Sequence, residues 1–206
     1  VKIEYVQATS ATADRHRSEF IATYQEAFAG KPYFETYTEA EVLHEAWDPC
    51  LRHGVIFLAL DANVVIGLGC AIPLIQSPEE IQGFLRPKRG LEGFPVEFSD
   101  VWYMADVGVR TSHKHQGIGT QLIACRLRYI RALGCQYYVL RTDAEESNSK
   151  QLYLNHGAQL LSGIQDVSQS GQVQVNQSRS SKRIYLFGQC EKTAASAEAA
   201  AVTRVA

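Results

Sequence analysis

The residues of this chain best suited to chemistry lie in one stretch, Val109-Arg-Thr-Ser-His-Lys-His-Gln-Gly-Ile-Gly-Thr-Gln-Leu-Ile123. There an apolar strand runs into a basic, glycine-containing turn and then an amphipathic helix. Such a junction is suited to holding phosphate. The first amides of a helix lack internal acceptors and sit at the positive end of its dipole, so an anion is stabilised there. Gly117 and Gly119 let the main chain approach that anion with no Cβ in the way. The spacing matches neither the G-x-x-x-x-G-K-S/T of a triphosphate loop nor the G-x-G-x-x-G of a dinucleotide fold. A second stretch, Glu146-Ser-Asn-Ser-Lys-Gln-Leu-Tyr-Leu-Asn-His-Gly-Ala158, reads as a short helix capped by Ser147 or Asn148 and ended by Gly157.

Both stretches carry a resemblance. Lys114-His115-Gln116-Gly117-Ile118-Gly119 resembles the pyrophosphate-binding motif Arg/Gln-x-x-Gly-x-Gly/Ala of the GNAT superfamily of N-acetyltransferases, and its flanks, Asp106-Val-Gly-Val109 and Thr120-Gln-Leu-Ile123, fit too. Lys114 keeps the positive charge of the usual arginine without its bidentate fork. The second stretch is similar to the family's Asn-x-x-Ala/Ser-x-x-Leu/Phe-Tyr-x-x-x-Gly-Phe at Ser149, Leu152, Tyr153 and Gly157. Glu146 stands in the usual Asn place and Ala158 in that of the Phe, so Asn148 is the substitute cofactor contact. The resemblance covers roughly residues 2 to 188.

The elements that must position these residues follow in order. Lys2 to Gln7 reads as a strand, Arg15 to Phe28 and Thr38 to Arg52 as amphipathic helices, and Thr38-Glu-Ala-Glu41 as an N-cap with acids in the first turn. Val55 to Leu60 and Val64 to Ile72 form a hairpin about Asp61-Ala-Asn63. Residues 74–98, broken by prolines and glycines, are an insertion between the third and fourth strands. Either a substrate-side lid or a surface excursion fits them, and Ile81, Phe84, Leu85, Leu91 and Phe94 give them side chains to pack. Val101 to Val109 alternates Val101, Tyr103, Ala105, Val107 and Val109 on one face with Trp102, Met104, Asp106 and Gly108 on the other. The helix 117–133 follows, with Arg126, Arg128 and Arg131 placed off its apolar stripe and Gly134 as its stop. Gln136 to Arg141 and Lys182 to Phe187 are the last strands. The polar run 162–181 reads as a long hairpin loop, and the Ala-rich 191–206 as a tail after a single domain of residues 1–190.

Composition narrows the function classes. A chain of 206 residues with net charge −2 and scattered basic residues has no nucleic-acid footprint. No apolar run reaches the roughly 18 residues that span a bilayer, and Val1-Lys-Ile-Glu-Tyr5 is no signal peptide, so a cytoplasmic location with no membrane contact is expected. Five cysteines without a Cys-x-x-Cys pair argue against a disulfide scaffold or a zinc site.

The resemblance implies an α/β (α+β) fold with a mixed, mostly antiparallel sheet of about 6–7 strands flanked by helices. Its fourth and fifth strands splay to admit the pantetheine arm. It implies acetyl-CoA as co-substrate, no metal, and transfer to a primary amine, either a small molecule or a peptide, with a homodimer as one assembly. Amides of Val107, Gly108 and Val109 would contact the acetyl carbonyl and pantetheine, and Lys114, His115, Gln116, Gly117, Ile118, Gly119 and Thr120 would hold the pyrophosphate. Tyr153 is the candidate acid for the leaving thiolate, against a partly buried structural tyrosine. Asp106 is the candidate base, against a carboxylate that only attracts a cation. Glu26, Glu35, Glu39, Glu41 and Glu45, with Tyr24, Tyr33, Phe34 and Tyr37, would flank an amine. A non-catalytic acyl-CoA sensor is the competing function class.

Overall fold

The computed structural model describes residues 2–31, 33–145, 148–167, 172–173 and 182–190. Strand β1 (Glu4–Ala8) and helix α1 (Ala13–Ala29) stand where the pattern predicts them. After the short strand β2 (Glu35–Thr36), Thr38 caps a helix reciprocally. Its hydroxyl accepts the Glu41 N–H at 3.2 Å, and the Glu41 carboxylate accepts the Thr38 N–H at 2.6 Å. The expected single helix is divided into α2 (Glu39–Val42), a wide π turn (Leu43–Trp47) and α3 (Asp48–His53). Pro49 accounts for the division, because it lacks an N–H and its ring would strike the carbonyl four residues back in a regular α-turn.

Strands β3 (Val55–Asp61) and β4 (Val64–Pro73) make the expected hairpin, turning at Ala62 and Asn63 with φ of 48° and 70°. Two successive positive φ values match the right-handed twist of the strands they join. Residues 74–98 fold onto the body through α4 (Glu79–Leu85). Leu74, Ile81, Leu85 and Phe94 are buried, and Phe84 stacks on Tyr185 at 4.5 Å between ring centroids. Leu91 does not pack as expected. It lies 56% exposed on a turn between Gly90 and Gly93, both at positive φ.

The stretch 101–109 holds the main departure from the pattern. It forms two strands, β5 (Val101–Tyr103) and β6 (Val107–Val109), parted by Met104, Ala105 and Asp106. Helix α5 (Ile118–Ala132) follows and stops before Gly134 at φ 83°, and β7 (Tyr137–Asp143) comes next. Helix α6 (Asn148–Leu154) ends at Gly157, whose φ of 79° lets the Ala158 N–H reach the Tyr153 carbonyl at 3.1 Å. Short strands β8 (Gln159–Leu160), β9 (Gln165–Asp166) and β10 (Gln172–Val173) precede β11 (Lys182–Gln189).

The sheet runs β1-β3-β4-β5-β7-β11-β8, with β6 also on β4 and β9 also on β11, while β10 pairs β2 apart from it. The β5–β7 pair is parallel and the other pairs are antiparallel. Helix α1 covers one face, where Phe20, Tyr24 and Phe28 join Leu58, Leu68, Val101 and Tyr103 in the core. Helix α5 covers the other, where Ile123 and Ile130 meet Trp102 and Met104, and Ile118 and Leu122 meet Val107 and Val109. Val107 and Val109 therefore lie on the opposite face from Val101 and Tyr103, contrary to the expected alternation. The irregular residues 104–106 act as a bulge that shifts the two-residue period by one.

That shift turns Gly108 toward α1, where a Cβ would stand 2.8 Å from the Cβ of Ala27. Neither backbone can yield cheaply. Gly108→Ala should cost about 1–3 kcal/mol of stability, read as a lowered denaturant midpoint at unchanged slope. Among the described residues no helix is long and apolar enough to cross a membrane. The tail 191–206 and most of the loop 162–181 lie outside the described residues.

Candidate functional site

The bulge opens a cleft in the sheet. The Met104 N–H still donates to the Val139 carbonyl at 2.8 Å, but the Asp106 carbonyl turns to β4 and accepts the Cys70 N–H at 2.8 Å. Beyond that point β6 follows β4 while residues 140–143 of β7 stay with β11, so the two strands part. The expected splay is thus present. A cavity of about 560 Å³ occupies it, lined by Met104 to Val107 from one strand, Leu140 and Arg141 from the other, and Ser149 and Tyr153 one helical turn apart on α6.

Register decides which amides face this cleft. The Cys70 and Arg110 N–H bonds bracket the ladder at Asp106 and Ile66, so residues 106, 108 and 110 point their polar groups at β4. Val107 and Val109 then direct theirs into the splay. The Gly108 amide belongs to the sheet ladder, and its lack of a Cβ lets α1 approach closely.

The glycine turn before α5 bares its amides. Amides from His115 to Thr120 find no backbone acceptor among the described residues, and the first helical bond is from the Gln121 N–H to the Gly117 carbonyl at 3.1 Å. His115 at φ 63° and Gly117 at φ 77° bend the chain so that these amides converge, a concavity suited to a pyrophosphate. Ile118 is buried, so its contribution there is its amide alone, while the Lys114 side chain is half-buried and His115 and Gln116 are exposed. The strained His115 backbone is of the kind kept where a ligand is bound. Gly117→Val should weaken acetyl-CoA binding by about tenfold, since a β-branched residue is disfavoured in the left-handed region by about 1–2 kcal/mol; calorimetric titration checks it. The Asn148 side chain, Glu146 and Ser147 lie outside the described residues.

Asp106 and Tyr153 meet at the cavity. Burial raises the Asp106 carboxyl to about 6, with Glu35 adding to the rise and Arg126, Arg141 and Tyr24 opposing it. Tyr153 is 1% exposed, and burial raises its phenol above the ordinary value while Arg126 pulls it back. Arg126 itself is a correction to the sequence pattern. It is fully buried, not off the stripe, and donates to Tyr153 Oη at 2.9 Å. The available signal was its place four residues after Leu122, which continues the buried face.

On the acceptor side the cavity is lined by Tyr24, Tyr33, Tyr37, Glu35 and Glu45, all anticipated, and by Phe28, Glu80, Arg141 and Arg183, which were not. Glu35 is buried and accepts from Tyr37 Oη at 2.7 Å and from Arg183 at 3.0 Å. Arg183 also pairs with Asp143 at 3.1 Å, and Arg141 with Glu80 at 2.6 Å. Both arginines are thus matched by carboxylates. Glu26 instead accepts the Thr111 N–H, Glu41 serves its cap, and Glu39 and Phe34 do not line the cavity. Gln76, Ser77, Pro78 and Glu80 of the insertion supply part of its wall.

Comparison with known proteins agrees with this geometry. The model of the acetyltransferase (GNAT) family matches residues 17–158. No curated protein matches the chain. Solved structures share its fold. An N-acetyltransferase from Staphylococcus aureus Mu50 superposes with a TM-score of 0.65 at 14% identity over 93% of this chain and 100% of that one. A ribosomal-protein-alanine N-acetyltransferase from Brucella melitensis gives 0.62 at 19% over 92% and 99%. The protein yncA of Salmonella typhimurium, solved with its cofactor acetyl-CoA, gives 0.59 at 15% over 94% and 97%. With a family model matched over two-thirds of its length, on a sheet that splays beside an amide-lined helix start, the chain belongs to the acetyltransferase (GNAT) family and is an acetyl-CoA-dependent N-acetyltransferase.

Proposed function

We propose that this enzyme transfers the acetyl group to a small cationic primary amine by direct attack while both substrates occupy one cavity. The observation that carries the reading is that Asp106 and Tyr153 line one acidic, aromatic cavity. Acetyl-CoA supplies the activated thioester. The turn 114–120 holds its pyrophosphate and the outward amides of Val107 and Val109 take its acetyl and pantetheine groups. Asp106 accepts the proton an ammonium must lose before its nitrogen can attack, and Tyr153 donates one to the departing sulfur.

The acceptor side favours a cation. Glu35, Glu45, Glu80 and Asp106 stand against Arg141 and Arg183, leaving a surplus of carboxylates, and the rings of Tyr24, Phe28, Tyr33 and Tyr37 form a face on which an ammonium is attracted. The insertion closes this side through residues 76–80, tied down by the Glu80–Arg141 pair, which fits a small molecule better than a bulky chain. The test is thiol release from acetyl-CoA across a panel of small mono- and diamines, lysine peptides and N-terminal alanine peptides. Turnover with the small amines is expected. Turnover confined to the peptides would overturn the acceptor class, and no saturable binding of acetyl-CoA or CoA would overturn the whole reading.

A further inference from the structure

A fully buried arginine needs a reason. Arg126 has no carboxylate within ion-pairing distance among the described residues, although removing an uncompensated cation from water is costly and a Leu or Met would fill the same stripe. The sheet makes room for it. A Cβ at Gly69 would stand 3.0 Å from its Nε. Its guanidinium donates from Nε to the Leu122 carbonyl at 3.3 Å and from Nη1 to the carbonyls of Cys70 at 2.8 Å and Asp106 at 3.0 Å. From Nη2 it donates to Tyr153 Oη at 2.9 Å. One side chain thus ties the bulge that carries Asp106 to the hydroxyl of Tyr153.

Donor logic fixes the direction of the last contact. A guanidinium can only donate, so the Tyr153 hydroxyl accepts there, and its own proton is left to point elsewhere. Among the described residues no other hydrogen bond of this hydroxyl is present, and Tyr153 lines the cavity. We infer that Arg126 is the positioning residue for the acid step: it turns the Tyr153 proton toward the cleft and holds the phenolate charge left when that proton departs. In balance, the amine nitrogen bonds to the acetyl carbon and the carbon–sulfur bond breaks. Sulfur keeps the electron pair and takes the Tyr153 proton, and the proton that the attacking nitrogen sheds as the amide forms, relayed through water, restores the tyrosine. The buried cation then gains its anion, the phenolate, at the moment the reaction creates one, which is when an electrostatic contact accelerates rather than merely binds. The other groups acting on the hydroxyl are Asp106 and Tyr33, which oppose its ionisation, with the Tyr138 ring 6.0 Å away.

The inference rests on the acetyl-transfer reading, but its test does not need a bound substrate. The ligand-free full chain, labelled with 13C at tyrosine Cζ, is titrated by NMR as wild type, Arg126→Met and Arg126→Gln. Tyr153→Phe assigns the resonance. Gln keeps donors for the Cys70 and Asp106 carbonyls should Met prevent folding. The Tyr153 signal is expected to shift in both variants at neutral pH, and its ionisation to begin at least about one pH unit higher, since a cation has been removed. The alkaline limb of kcat should move up with it while acetyl-CoA affinity holds. A Tyr153 signal and titration identical in wild type and folded variants would overturn the inference, as would a wild-type Tyr153 that never ionises before unfolding. Failure of the wild type to bind acetyl-CoA would instead sink the reading beneath it and leave the Arg126–Tyr153 result standing.

Discussion

Tyr153→Phe is expected to lower kcat by about 10²- to 10³-fold, within the range that positioned general acids contribute, with acetyl-CoA affinity nearly unchanged. The phenyl ring preserves the packing against Tyr138 and the rest of the core, so the fold has little to lose beyond one hydroxyl. Among the described residues that hydroxyl takes part in one hydrogen bond, which it accepts from Arg126. Removing it leaves a buried guanidinium short of one acceptor, at about 1–3 kcal/mol, a loss visible in stability and separable from rate. The kinetic signature is what discriminates. An acid that acts only as sulfur departs leaves binding untouched, so kcat and kcat/KM should fall together. Equal turnover in the variant would remove Tyr153 from the mechanism and leave it a core tyrosine.

How much of this was legible in the sequence depends on what each residue answers to. The glycine turn at the start of α5 was readable because its cause is local. Two glycines that free the main chain and a helix start that must bare its amides both follow from six residues in a row. The Thr38–Glu41 cap and the Gly157 stop were readable for the same reason. The bulge at Met104 to Asp106 was not. Two-residue alternation through Val101 to Val109 is unbroken in type, and only the divergent partners of the two halves, β7 for one and β4 for the other, force the phase change. Arg126 escaped because residue type argued against burial, and the acceptors that permit it, the Cys70 and Asp106 carbonyls, are 56 and 20 residues away. Arg141 and Arg183 reach the cavity from β7 and β11, again by pairing distant in sequence. Local chemistry was thus visible, whereas the charges that tune it arrive through the sheet.

Asp106→Asn carries the second large effect and separates the two roles open to that carboxylate. If Asp106 is the base, it must be ionised to accept the ammonium proton. With its carboxyl raised to about 6, kcat/KM should be flat above that pH and fall about tenfold per unit below it, because each lowering of pH protonates the group the reaction needs. The Asn variant should lose about 10²-fold in turnover and lose the acidic limb with it. If Asp106 merely attracts a cation, Asn should raise KM for the amine and leave kcat alone, since uniform binding is all that has been removed. Glu35 supplies an internal control. Its charge is the second cause of the raised carboxyl, after burial, so Glu35→Gln should move the acidic limb to lower pH without abolishing it. A limb that stays near 6 in Asp106→Asn would assign it to another group and withdraw Asp106 as the base. Glu35 would be the next candidate, since burial raises its carboxyl too and it stands on the same cavity wall.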